Sequence, residues 1–177
     1  MNEHPAGNGT TLLLLQMLAA CSLAPIPVFG LIMFFIGGFE ELPSLVAAVV
    51  LVVLNLLAFG LAEAVGYRTV AIAPGTDAAQ AHRSAVSALY LGTLLRLAIT
   101  ATPVFFSLVA AFVVNGSQFW TYWCGASWAA VSMLWHAWPR AAAIRKTERS
   151  LDRAGGRSAL VAAVGLQPAA HADRFAA

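Results

Sequence analysis

Apolar and polar positions divide the chain into four long apolar runs separated by three polar joints. The runs cover residues 12–36, about 45–64, about 89–114 and 119–138. Each supplies the about 20 mostly apolar residues that a bilayer crossing requires. The joints read GGFEELP (37–43), YRTVAIAPGTDAAQAHRS (67–84) and NGS (115–117). Each carries the Gly, Pro, Asn or charge that ends a helix. In the long joint, Pro74, Gly75 and Asp77 signal a turn.

After residue 138 the pattern changes. Residues 141–153 are good helix formers, and Gly155 with Gly156 supplies a stop. Arg145 with Glu148 and Arg149 with Asp152 stand at i,i+3 spacing. The segment GLQPAAHADRFAA (165–177) has neither period nor apolar bulk and reads as disordered. The pattern therefore predicts an all-α membrane protein. A four-helix transmembrane domain (1–138) is followed by a basic tail (139–177) that is helical to about residue 154 and disordered beyond.

Charge orients the helices. The 37–43 and 115–117 joints hold no Arg or Lys, whereas Arg68 and Arg83 flank the long joint. Arg140, Arg145, Lys146, Arg149, Arg153 and Arg157 follow the fourth run. Positive loops stay in the cytoplasm, so both ends and the long joint are expected inside, with Glu40 and Glu41 outside. Next to the membrane, the basic tail (Arg140, Arg145, Lys146, Arg149, Arg153) is expected to face anionic lipid headgroups, at about 1 kcal/mol per charge. A docking helix for a cytoplasmic protein is the sharper reading of the same segment.

Composition agrees with the pattern. Of the 177 residues, 60% are hydrophobic and only 10% charged, against about 25% charged in soluble domains. Nine Arg against one Lys, with much Ala, matches a bacterial, high-GC composition, which points to a multi-pass protein of the bacterial cytoplasmic (inner) membrane. Cys21 and Cys124 lie in apolar runs, roughly 9 Å apart in depth at about 1.5 Å per residue, too far for a disulfide. The run LAACS (18–22) has the outline of a lipid-attachment box. No basic segment precedes it and fifteen apolar residues follow, so Cys21 reads as a small residue inside the first span.

Few polar groups fall within the runs. Asn55 in the second, and Thr100, Thr102 and Ser107 in the third, are expected to hydrogen-bond between helices. Thr121, Gly125, Ala129, Ser132 and His136 form a stripe of mostly small residues on the fourth, suited to close helix approach. His136 falls near the inner interface and is expected to be solvated. Trp120, Tyr122 and Trp123 at one end, and Trp135 and Trp138 at the other, read as interfacial belts; Trp128 lies between them and calls for packing. Pro25, Pro27 and Pro103 interrupt helical hydrogen bonding and are expected to kink the first and third spans. Counting about 20 residues back from Val114 places Arg96 at the inner boundary, where its stem can snorkel. Counting inward from Leu45 places Glu63 at the same depth. An ion pair between Glu63 and Arg96 is therefore expected to tie the second and third spans. No catalytic signature, phosphate loop or metal motif is found, and His4, His82, His136 and His171 have no acidic partner at ligand spacing. The sequence thus predicts no enzyme, no cofactor and no nucleic-acid partner.

The segment RLAITATPVFFSLVAAFVV (96–114) resembles the carboxylate-bearing helix of the rotor-ring c subunit of ATP synthases. The position of that family's Glu falls on Ala101, or on the flanking Thr100 or Thr102 if the register slips, so the resemblance implies the helix and its outward direction without the proton carrier. The whole chain is similar to small, uncharacterised four-span membrane proteins of actinobacteria. From short joints, small-residue faces and a charged tail, the expected role is a non-catalytic accessory or assembly subunit of a larger membrane complex. The alternative is a small oligomeric transporter or channel.

Overall fold

The computed structural model describes residues 8–37, 41–114 and 117–164. The expectations for His4, Glu40 and His171, and for the 165–177 segment, lie outside these residues. Among the described residues all regular structure is helical: α1 (Asn8–Leu23), α2 (Pro25–Gly37), α3 (Leu45–Val65), α4 (Ala78–Val113), α5 (Gln118–His136), α6 (Ala141–Asp152) and α7 (Leu160–Ala163). Three stretches are long and apolar enough to cross a membrane: Thr10–Gly37, Leu45–Val65 and Ala78–Val113. The fourth expected span, α5, is a helix of 19 residues. Its Thr, Gly, Ser, Gln and His make it less apolar than α2 and α3.

The prolines act differently in the two helices that contain them. Pro25 opens α2 and Pro27 sits in its first turn, where backbone N–H groups have no helical acceptor in any case. The cost is confined to a one-residue interruption at Ala24, whose N–H still reaches the Ala20 carbonyl at 2.9 Å. Helix α4, by contrast, runs through Pro103 without interruption. At about 1.5 Å per residue its 36 residues span roughly 54 Å, well beyond the about 30 Å of hydrocarbon. It starts at Ala78, eleven residues before the apolar run, because Asp77 caps it. The Asp77 carboxylate accepts from the N–H groups of Ala79 (3.1 Å) and Gln80 (3.2 Å).

The chain divides into two compact units, each built from separated segments. Unit 1 takes residues 1–16, 67–92 and 139–177; unit 2 takes 17–66 and 93–138. Unit 1 closes around Leu15, Ile72, Ala81, Ala85, Leu89, Ile144, Leu151, Leu160 and Val164. The tail is thus not separate from the long joint. Helix α6 buries Ala143, Ile144, Thr147 and Leu151 on one face, a spacing of one to four residues that keeps them in a single stripe. Its basic side chains Arg145 and Arg149 stay exposed, as do Arg140 and Arg153 beside the helix. The joint lies along α6: Ile72 N–H donates to the Leu151 carbonyl (2.8 Å), Thr69 N–H to Ser150 Oγ (3.1 Å), and Lys146 Nζ stands 4.4 Å from the Tyr67 ring centre.

The acids of α6 bond backbone beyond the helix. Glu148 accepts from Val161 N–H (3.1 Å) and Asp152 from Ser158 N–H (2.7 Å). These bonds draw the chain back after Gly155, whose φ of +88° makes the turn. Leu160 and Val164 are then buried, so the ordered tail continues past residue 154.

Unit 2 packs α2, α3, the later part of α4 and α5. Its apolar core holds Ile26, Met33, Leu97, Ala111, Tyr122, Ala126, Met133 and Ala137. Tyr122, fully buried, donates its hydroxyl to the Ile26 carbonyl at 2.9 Å.

Two glycines give opposite expectations. A Cβ on Gly156 would lie 2.4 Å from the Ile72 carbonyl oxygen, whereas one on Gly60 meets nothing within 4 Å. Gly156→Ala is expected to lower stability by about 1–3 kcal/mol through forced backbone displacement. Gly60→Ala is expected to be neutral or stabilising by up to about 1 kcal/mol. Thermal unfolding of both variants in one detergent checks the difference in sign.

Candidate functional site

The polar residues of unit 2 gather along α5. Its stripe Thr121, Gly125, Ala129, Ser132 and His136 is buried throughout, with Thr121 1%, Ala129 0% and His136 0% exposed. The i, i+4, i+8, i+11 and i+15 offsets hold one helical face. Small side chains let neighbours close in. A Cβ on Gly125 would lie 2.5 Å from Ser107 Cβ of α4 and 3.4 Å from Leu51 of α3.

Asn55 of α3 is placed by this close approach. Its Nδ2 donates to Leu51 O (2.9 Å) in its own helix and to Gly125 O (3.2 Å) on α5. Both amide hydrogens are used, and Oδ1 has no partner among the described residues. Thr121 Oγ1 and Ser132 Oγ on α5 are buried without one as well. Thr100 and Thr102 differ from expectation. Thr100 bonds the Arg96 carbonyl (2.7 Å) and Thr102 the Ala98 carbonyl (2.9 Å), both within α4. A Thr hydroxyl four residues above a helical carbonyl meets that acceptor first. Ser107 likewise bonds Val104 O (2.8 Å).

The charged part of the site lies at the end of α3. Arg96 is only 2% exposed, so it is not a side chain reaching outward. Its Nη1 donates to the Gly66 carbonyl (3.2 Å) and its Nη2 to Thr93 Oγ1 (2.9 Å). The Gly66 carbonyl belongs to the last turn of α3, where the helix dipole favours a cation. Gly66 has an ordinary helical φ of −65°; its lack of a side chain serves space instead. A Cβ there would come within 2.4 Å of Arg96 Cγ.

Glu63 stands one turn before Gly66. Its Oε2 is 3.8 Å from Nδ1 of His136. His136 is fully buried, not solvated as expected, and the Phe59 ring meets it edge-on with centres 4.4 Å apart. Depth alone suggested solvation. The stripe carried the better signal, since its last member must share the buried face of the others.

The opposite end of unit 2 has an apolar groove of ≈ 350 Å³ lined by Pro27, Gly30, Leu31, Phe34, Phe119 and Trp123. Gly30 admits the Trp123 ring, whose nearest atom would lie 2.4 Å from a Cβ. Trp128 is 61% exposed, so the packing expected for it is not supplied within the chain. Cys21 and Cys124 are both free thiols.

Removal of the Arg96 guanidinium takes a donor from the Gly66 carbonyl and from Thr93 Oγ1 in a buried setting. Arg96→Ala is expected to cost about 1–3 kcal/mol. Arg96→Lys restores only part of that, because an ammonium lacks the planar fork that reaches two acceptors at once. Unfolding midpoints of the three proteins in detergent check the order wild type, Lys, Ala. Comparison with protein-family models, with curated proteins and with solved structures finds no match to this chain.

Proposed function

We propose that the protein is a four-span subunit of the bacterial cytoplasmic membrane, with both ends inside, that acts without catalysis by packing against a larger membrane complex. The observation that carries this reading is the outward face of α5. Trp120, Trp128, Val131 and Trp135 are 41–61% exposed on a helix whose other face is filled by α2 and α3. Trp128 sits ten residues into the 19-residue helix. At that depth its indole N–H has no headgroup or water to bond, and a partner helix supplies both acceptor and contact area. The kinship with small four-span actinobacterial proteins belongs to the same proposal.

Orientation rests on charge. Unit 1 carries eight exposed or half-buried Arg and Lys residues against three acids within the described residues, and positive segments remain inside. This basic unit then faces anionic headgroups. Glu63 also shares its level with Arg96, and the expected pairing of the two is kept as part of this reading.

Three measurements test the proposal. Affinity capture of the whole protein in mild detergent is expected to bring down a larger membrane complex in fixed ratio, and Trp128→Ala to loosen it. A lone homo-oligomer would favour the transporter or channel. In a Cys21→Ser, Cys124→Ser background, cysteines at Leu42 and Ser117 are expected to react with an impermeant reagent in intact cells. Those at Gly75 and Gly155 are expected to react only after lysis, and the reverse pattern refutes the orientation. A double-mutant cycle of Glu63→Ala and Arg96→Ala is expected to show a coupling above about 0.5 kcal/mol. Additive losses would refute the pair.

A further inference from the structure

We propose that Glu63 and His136 form a proton-binding site at the contact between α3 and α5. The inference is independent of the accessory-subunit reading.

The geometry divides the two residues by access. The imidazole of His136 is completely enclosed, with Phe59 against its edge. The Glu63 carboxylate is 47% exposed and lies 3.8 Å from the ring nitrogen Nδ1. One group therefore meets solvent or headgroups while the other is reached through it. Burying an ionisable ring in a helix bundle is costly, and such groups in membrane helices mark ion and proton paths. If only a structural tie were required, a fixed charge would serve. Histidine is the side chain whose ordinary charge change falls between about pH 5 and 8.

The step balances without another reactant. A proton from water binds a Glu63 carboxylate oxygen. The carboxyl O–H bond then breaks as Nδ1–H forms on His136, leaving a carboxylate beside an imidazolium. Release runs the same bonds backwards. Direct transfer needs an approach to about 3 Å or one intervening water, so the carboxylate moves by roughly 1 Å or a water fills the gap.

The surrounding charges are few. Among the described residues of unit 2 the charged side chains besides Glu63 are Glu41, ahead of α3, and Arg96 of α4, which stays protonated at all working pH and is fixed on Gly66 and Thr93; the part of α4 in unit 1 carries His82 and Arg83. Neither α1 nor α2 carries an Asp, Glu, Lys, Arg or His. Proton binding adds one positive charge to this pair. It converts the contact between α3 and α5 from a neutral ring beside a carboxylate to an ion pair. The site resides in a different pair of helices from the c-subunit-like segment of α4.

The test uses the full-length protein, labelled with ¹⁵N-histidine, in lipid nanodiscs. The ring nitrogens of His136 are assigned by their loss in His136→Gln and followed from pH 4.5 to 9. The expected result is one reversible step between imidazolium and neutral imidazole, with a midpoint displaced in Glu63→Gln. Glu63→Asp, which keeps the charge and shortens the reach, serves where Gln does not fold. Nitrogen shifts that report one protonation state across the whole range would overturn the proposal, as would the same midpoint in wild type and both Glu63 variants. The wild-type titration decides by itself if neither variant folds.

Discussion

Close approach to α5 is the constraint on which unit 2 depends. This helix has too many Ser, Thr, Gly and Gln residues to match the apolar character of its neighbours, and burial of its small face compensates. Gly125, Ala126 and Ala129 remove the side-chain bulk that would hold α2 and α3 away. In lipid there is little hydrophobic gain from helix association, so dispersion contacts and a few hydrogen bonds between helices have to suffice. The Asn55 amide on the Gly125 carbonyl and the Tyr122 hydroxyl on the Ile26 carbonyl are two such bonds, one to each neighbour. Both need backbones close enough for a side chain to bridge.

Unit 1 follows different physics. Its core is made by a short amphipathic helix, a loop and the ends of longer helices, and its stability comes from burying Ile72, Ile144, Leu151 and Leu160 together. Here carboxylates that looked like partners for neighbouring arginines bond backbone N–H groups. An exposed ion pair at i,i+3 is worth only a few tenths of a kcal/mol. A backbone N–H left without an acceptor costs more, so the geometry that satisfies the turn wins.

Helix positions and ends were largely legible in the sequence, because apolar run length and Gly, Pro and Asp punctuation act locally. Run ends predicted at 45–64 and 119–138 fall close to Leu45–Val65 and Gln118–His136. The start of α4 was missed although Asp77 stands three residues before Gln80, a spacing that marks a helix N-terminus. The candidate site was half legible. Depth counting assigns Glu63 and Arg96 one level, but depth does not state which way a side chain faces around its helix. That angle decides that His136 is enclosed and that Arg96 turns to the end of α3. The hydroxyls of Thr100 and Thr102 were assigned to neighbouring helices because polarity in a span was noticed before the nearer intrahelical acceptor.

The assembly of unit 1 from distant segments has a bearing on synthesis. Leu15 shares its core with Leu160, which follows it by 145 residues. At the about 5–20 residues per second of translation, the early residue is made roughly 7 to 29 seconds before its late companion. During that interval the surface that Leu15, Ile72 and Ala85 will close remains open. Its shelter is completed only when Leu160 and Val164 have been made, so this core waits for almost the whole of the chain that forms it.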